Sequence, residues 1–266
     1  MERRAFIQSI GLAAIASGAT YWLARRSRFS DGYYVQMGTS VTAGGAFSKY
    51  SGSTPTIIGS ILNMPAINAA FPGSCAGLHK ITSLNPVSLC SLVDAIISND
   101  WSLQATATGE IVRDAAMSRL MTAGFPSVTH LGLEYGTNDF RYDRPIGLNT
   151  DISKETFKGA LNYSIQKLLR AFPKLRLFLI TPTWMPTIDD LDSDDNPNGI
   201  GSFLREYIEA MIRISELNHI PCLDMSRMLG INKTNYKTFT VDGIHPNDIG
   251  ATRRAELIAS FMNSNL

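Results

Sequence analysis

Residues 33–44 have the sequence YYVQMGTSVTAG, and this stretch indicates the fold more directly than any other. Its first five residues form a brief, nearly continuous apolar run, which is typical of a parallel β-strand covered on both faces. The Gly38-Thr39-Ser40 segment that follows is a glycine-flanked turn. The stretch therefore predicts a strand, a tight turn and the start of a helix.

The same alternation continues along the chain. Similar apolar runs predict strands at Tyr33–Met37, Ala66–Phe71, Val128–Tyr135, Leu175–Thr181 and Pro221–Met225. Apolar residues at three-to-four spacing predict helices at Thr54–Leu62, Leu89–Ile97, Glu110–Ala123, Lys154–Ala171, Phe203–Leu217 and Asp248–Met262. Ser153 and Asp248 are start signals for the fourth and sixth of these helices. Five strands separated by helices predict a three-layer α/β domain with an open, doubly wound parallel sheet.

Length and charge narrow the class of protein. The chain has 266 residues, 44% of them hydrophobic and 18% charged, which suits one globular domain over residues 31–266. The formal net charge is +1, and no basic stripe follows residue 30. A nucleic-acid partner is therefore not expected.

Residues 1–30 differ from the rest of the chain. Arg3 and Arg4 precede an apolar run rich in Gly and Ala, and this order resembles the bacterial twin-arginine export signal. A cleaved signal peptide, an uncleaved membrane anchor through residues 5–24 and an ordinary amphipathic first helix are the alternatives. Export to the periplasm is expected, with the twin-arginine export machinery as a partner.

Residues able to do chemistry follow the predicted strands. Ser40 comes after the first strand, Gly73 after the second and Asn138 after the third, while Asp242 and His245 lie in the loop before the last helix. In doubly wound sheets the ligand site lies beyond the carboxyl ends of the strands. We therefore expect these residues to meet at one edge of the sheet.

Together the five residues supply what acyl transfer needs. Asp242 lies three residues before His245, so it can accept the Nδ1–H of the imidazole and leave Nε2 free as a base for Ser40. The Gly73 N–H and the Asn138 amide can donate to the oxyanion of a tetrahedral intermediate. No metal or cofactor is expected.

The combination resembles the SGNH (GDSL-like) hydrolase family, which has the same four blocks in the same order. The resemblance covers roughly residues 33–262 and is most specific at Gly136-Thr137-Asn138-Asp139 and in the spacing of Asp242 and His245. It implies a flavodoxin-like sheet, with Ser40 as nucleophile, His245 as base and Asp242 behind it. It also implies an oxyanion hole formed by Ser40, Gly73 and Asn138. Thr39 departs from the aspartate that the family usually has there.

The resemblance implies a serine esterase acting on a small-molecule or polysaccharide ester. A short acyl group, such as O-acetyl on a carbohydrate, is expected by analogy with related exported proteins. Two alternatives remain: transfer of the acyl group to a sugar acceptor, and a degenerate site that only binds carbohydrate. Trp184, in the loop after the fourth strand, either stacks on a sugar ring or seals the loop.

Several other residues have less specific interpretations. Glu134 is expected to have a structural hydrogen-bonding role rather than a catalytic one. The acidic run at residues 189–195 lacks the glycine and glutamate of a calcium loop and is interpreted as a solvated loop. Cys75 and Cys90 either form a disulfide or are small buried side chains. The histidines other than His245, at positions 79, 130 and 219, are interpreted as surface or core residues.

Overall fold

The computed structural model describes residues 32–44, 53–78, 80–107 and 114–266. The predicted export signal at residues 1–30 and the histidine at position 79 lie outside these ranges, so their interpretations stay predictions. Within the described part of the chain, no helix is both long and apolar enough to cross a membrane.

The described residues form one five-stranded sheet. Its strands are β1 (Tyr33–Gly38), β2 (Ala66–Ala70), β3 (Val128–Glu134), β4 (Arg176–Ile180) and β5 (Cys222–Leu223). They lie in the order β2-β1-β3-β4-β5, and every neighbouring pair is parallel. This is the flavodoxin-like order, so the predicted fold class is confirmed.

Helices connect the strands and cover both faces of the sheet. They are α1 (Ser40–Ala43), α2 (Thr54–Leu62), α3 (Leu89–Ser98), α4 (Asp114–Thr122), α5 (Thr137–Arg141), α6 (Phe157–Ala171), α7 (Leu204–Leu217), α8 (Met225–Leu229), α9 (Tyr236–Phe239) and α10 (Asp248–Asn265). Helix α1 lies where the Gly38-Thr39-Ser40 turn predicts the start of a helix. The short helices α5, α8 and α9 were not predicted, because about one turn of helix shows no apolar periodicity.

Side chains that alternate along each strand divide the core into two layers. Val35 and Met37 of β1 face one layer, which also contains buried residues of α3, α4, α6 and α7. Tyr34 of β1 and Phe178 of β4 face the other layer, with buried residues of α2, α8 and α10. Because successive strand residues point to opposite faces, a short apolar run supplies both layers.

Two helix caps differ from the residues that the sequence indicated, although the last helix begins at Asp248 as predicted. Helix α6 begins after Thr156, whose side chain accepts the Gly159 N–H, so Ser153 is not its cap. Helix α10 is capped by Asn247, which accepts the Gly250 N–H, and Asp248 is its first residue. Each true cap has the extended backbone that lets a short polar side chain reach the first-turn N–H groups.

Candidate active site

Ser40 lies at the turn between β1 and α1. It is the first residue of α1, so its backbone N–H has no acceptor within the helix. The preceding residue, Thr39, is the helix cap, and its Oγ1 accepts the Val41 N–H at 3.3 Å. A threonine at this position thus makes the local hydrogen bond that a short acidic side chain also makes at a helix start.

The loop before α10 brings His245 to Ser40. His245 Nε2 lies 2.9 Å from Ser40 Oγ, and His245 Nδ1 lies 2.6 Å from Asp242 Oδ2. The other carboxylate oxygen of Asp242 accepts the backbone N–H groups of Ile244 at 2.9 Å and His245 at 2.8 Å. The carboxylate is therefore fixed by its own loop while it holds the imidazole.

Asp242 is held in its ionised form. Burial raises its pKa, but the hydrogen bonds from the His245 ring and from the backbone of His245 and Ile244 outweigh burial and lower the pKa to about 2. An ionised carboxylate beside Nδ1 favours the tautomer that has its proton there. Nε2 is then free to accept a proton from Ser40.

Gly73 lies in the loop after β2, and Asn138 lies in the first turn of α5, directly after the loop that follows β3. Gly73 has φ +75°, a conformation that side-chain-bearing residues rarely adopt. The Asn138 side chain donates one amide hydrogen to the Ser74 carbonyl at 2.9 Å. Its second amide hydrogen remains for another acceptor, and the bond to Ser74 ties it to the Gly73 loop.

Asp139 links the same two loops from inside the protein. This fully buried carboxylate accepts the Ala76 N–H at 3.1 Å and the Gly136 N–H at 3.1 Å. Burial raises its pKa, although these N–H groups and the nearby Arg144 act in the opposite direction. The four-residue block at 136–139 therefore contains both the proposed donor, Asn138, and a fully buried carboxylate, Asp139, which connects the two loops.

Glu134 is buried at the end of β3 and accepts hydrogen bonds from Gln36, Thr42 and Arg254. These contacts agree with the structural role expected from the sequence. The partner Arg254 was not identified from the sequence. The sequence feature that could have identified Arg254 is a charged residue on the apolar face of α10, near Ala251 and Ala255, which are both buried.

Trp184 is buried in the loop after β4. The side chain is 6% exposed, its Nε1–H donates to Asp192 at 2.8 Å, and its ring lies 5.4 Å from that of Tyr236. Of the two predicted roles, sealing the loop fits these contacts better. The substrate-binding role stays a prediction.

The acidic run has protein partners. Lys233 lies 3.0 Å from Asp192 and 3.3 Å from Asp195. Within the described ranges, no group of three or more His, Cys, Asp and Glu side chains is arranged to hold a metal ion.

The remaining histidines and cysteines lie apart from this chemistry. His130 is buried on β3 beside Thr129, and His219 is exposed. Cys75 and Cys90 are free and buried, so the structure has no disulfide between them. Burial raises the pKa of both thiols, that of Cys90 to about 12.

Comparisons with known proteins yield matches among solved structures. No protein-family model matches the chain, and no curated protein matches it. A possible lipase from Chitinophaga pinensis is 19% identical with a TM-score of 0.59, over 87% of this chain and 98% of its own. The native aryl esterase of M. smegmatis is 12% identical with a TM-score of 0.58, over 88% of this chain and 100% of its own.

A lipase/acylhydrolase from Enterococcus faecalis is also similar, at 15% identity with a TM-score of 0.50 over 87% of this chain and 95% of its own. At such low identity the likeness establishes the fold. The chain therefore has the three-layer α/β fold of these lipases and esterases, which is the fold that the SGNH resemblance implied.

Proposed function

We propose that the chain is a serine esterase of the SGNH hydrolase family, which cleaves carboxylic esters through an acyl-enzyme. The observation that carries the proposal is the continuous hydrogen-bonded series Ser40–His245–Asp242, with distances of 2.9 Å and 2.6 Å. A hydroxyl, an imidazole and a carboxylate in this order are the arrangement that activates a serine nucleophile.

Acylation uses all three side chains. Ser40 Oγ attacks the ester carbonyl carbon while His245 Nε2 takes the hydroxyl proton, and the carbonyl oxygen becomes an oxyanion. As the intermediate collapses, the bond to the alcohol breaks and the alcohol leaves with the proton held by His245. Asp242 stabilises the imidazolium that forms between these steps.

The oxyanion is proposed to rest on three donors. They are the Ser40 N–H at the start of α1, the Gly73 N–H and the second amide hydrogen of Asn138. The bond from Asn138 to the Ser74 carbonyl supports this assignment, because it fixes the amide group before substrate binds. Donors fixed in advance stabilise developing charge without reorganisation.

Water completes the cycle. His245, neutral again, takes a proton from a water molecule, whose oxygen attacks the acyl carbon and forms a second tetrahedral intermediate. The carbon–oxygen bond to Ser40 then breaks, the serine oxygen takes back the proton, and the acid is released. A sugar hydroxyl in place of this water would give the alternative reaction, acyl transfer.

The acyl group is proposed to be short, such as O-acetyl on a carbohydrate. This part rests on the SGNH resemblance and on the predicted export signal, since exported proteins of this kind often act on acetylated carbohydrates. Trp184 no longer supports it, because its ring is buried. A panel of acetylated sugars and longer acyl esters, assayed with and without added sugar acceptor, separates hydrolase from transferase and short from long acyl groups.

Export to the periplasm is proposed on the paired arginines at positions 3 and 4. Fractionation of cells producing the full chain, compared with a chain in which both arginines are replaced by lysine, tests this proposal. We expect the wild-type protein in the periplasmic or membrane fraction and the variant in the cytoplasm. Equal distributions would contradict it.

The activity itself is tested by Ser40→Ala on a short-chain nitrophenyl ester. We expect kcat to fall about 10,000-fold or more while the far-UV circular dichroism stays unchanged. Ser60→Ala is the matched control, because Ser60 is an exposed serine on α2 that bonds only locally to Thr56. Undiminished turnover by the Ser40 variant would overturn the assignment.

A further inference from the structure

Glu134 joins two segments that are far apart in sequence. It is the last residue of the central strand β3 and is 2% exposed. Its Oε2 accepts Thr42 Oγ1–H at 2.6 Å and Gln36 Nε2–H at 2.9 Å. Its Oε1 accepts Nη2–H of Arg254, which is also 2% exposed. One carboxylate thus contacts β1, α1 and α10.

The contact with Thr42 holds the helix that begins with Ser40. Helix α1 has four residues, and so short a helix is not stable through its own hydrogen bonds. Thr42 is fully buried, and Gly38 lies beside Glu134 in the sheet. A Cβ added to Gly38 would come within 2.3 Å of Thr42 Oγ1, so α1 packs directly against the end of the sheet.

The contact with Arg254 holds the helix that follows His245. Helix α10 is capped by Asn247, only two residues after His245. The Asn247 side chain accepts the Gly250 N–H at 2.9 Å, and its backbone N–H donates to the Phe239 carbonyl at 3.0 Å. The His245 loop therefore runs directly into the capped start of α10 and is bonded to the end of α9, so a displacement of α10 would move the loop.

We propose that Glu134 is a positioning residue, which sets the separation of Ser40 and His245 by binding α1 through Thr42 and α10 through Arg254. The inference rests on the proposed function, in which these two residues react together. Glu134 itself touches no substrate in this account. A shift of about 1 Å between reacting groups is enough to slow an enzyme about 100-fold, so the positioning has a measurable consequence.

Thr42→Val tests the proposal with the least disturbance. Valine keeps the shape of threonine and removes only the hydroxyl that binds Glu134, so the buried ion pair with Arg254 stays intact. Replacing Glu134 would instead leave a buried arginine without its counter-charge, which destabilises proteins. Thr42→Ser keeps the hydroxyl and is the rescue variant.

Thr181→Val is the matched control. Thr181 is a fully buried threonine just after β4, and its hydroxyl bonds with Asp224 and the Ser226 N–H rather than with α1 or α10. The experiment measures kcat and KM of the four proteins on a short nitrophenyl ester. It also determines the Ser40 Oγ–His245 Nε2 distance in a crystal structure of the Thr42→Val variant.

We expect Thr42→Val to lower kcat between about 10-fold and 100-fold with KM within twofold. Thr42→Ser and Thr181→Val should stay near wild type, and the distance should lengthen beyond 2.9 Å. Equal kcat values for Thr42→Val and Thr181→Val would overturn the proposal. If the wild-type protein fails to cleave any ester, the proposed function is wrong. The Ser40 Oγ–His245 Nε2 distance in the Thr42→Val variant then tests the positioning role by itself. A longer distance supports that role, and an unchanged distance contradicts it.

Discussion

Ser40 Oγ and His245 Nε2 lie 2.9 Å apart, although 205 positions separate the two residues in the sequence. Ser40 follows β1, a central strand, and His245 precedes α10, which packs beside α2 on one face of the sheet. Their contact depends on the whole fold, because the strand, the last helix and the sheet between them must all be in place. The hydrogen bond is therefore a structural result of the topology as well as the basis of the proposed chemistry.

Asp242→Asn should lower kcat on a short nitrophenyl ester by about 100-fold to 10,000-fold. Asparagine can offer its own N–H groups towards Nδ1, so the imidazole loses the acceptor that selects its tautomer. Steady-state kinetics of the purified variant measure the effect. Asp189→Asn, at an exposed position in the acidic run, is the control and should keep wild-type kcat. Full activity in the Asp242 variant would show that His245 needs no carboxylate.

At low pH, kcat/KM should fall because a single group, the base, takes up one proton. Since the pKa of Asp242 is lowered to about 2, its carboxylate stays ionised throughout the range from about pH 4 to about pH 9. We expect log kcat/KM to fall with a slope of one as the base takes up its proton, and to level off at higher pH. Rates measured from pH 4 to pH 9 test this. A slope of two would mean that a second group titrates in the same range.

Asn138→Ala should lower kcat by about 100-fold to 1,000-fold, with a smaller effect on KM. The variant loses the amide hydrogen proposed to donate to the oxyanion, an interaction made more strongly in the transition state than with bound ester. Asn218→Ala removes a half-buried amide that bonds to Asn162 and Ile214, away from the site, and should leave kcat unchanged. A twofold effect or less at Asn138 would remove it from the oxyanion hole.

Asp139→Asn should reduce the free energy of unfolding by about 1–3 kcal/mol. With its oxygen at the place of Oδ2, the asparagine side chain still accepts the N–H groups of Ala76 and Gly136. Its NH2 group then replaces Oδ1, which also accepts the Ala76 N–H, so two donors face each other in a fully buried place. Denaturation in guanidinium chloride measures the change. The exposed Asp189→Asn variant should unfold at the wild-type midpoint. An unchanged midpoint for Asp139→Asn would argue against its role as a brace between the two loops.

The strand pattern could be predicted from the sequence because parallel strands buried on both faces appear as short apolar runs. The ends of β5 show the limit of this signal. The run Pro221–Met225 predicts five strand residues, but only Cys222 and Leu223 pair with β4. A run of apolar residues records burial, and it does not record how many residues find a hydrogen-bonding partner at the edge of a sheet.

The candidate site was predictable for a different reason. Ser40, Gly73, Asn138 and His245 each follow a strand or precede a helix, and the sheet topology requires such positions to converge. The contacts of Glu134 and Trp184 were not predictable at that level. They depend on which buried partner lies opposite, Arg254 for one and Asp192 for the other, and sequence spacing carries no such information across more than a few residues.

A fluorophosphonate probe tests the activation of Ser40 most directly, because such probes react with activated serines whatever the natural ester is. The full chain is incubated with the probe, digested and mapped by mass spectrometry, beside the Ser40→Ala and His245→Ala variants. We expect a single labelled residue, Ser40, in the wild-type protein. The Ser40→Ala variant should carry no label, and the His245→Ala variant should be labelled much more slowly than wild type. A wild-type chain that stays unlabelled, or that is labelled at another serine, would contradict the activation of Ser40.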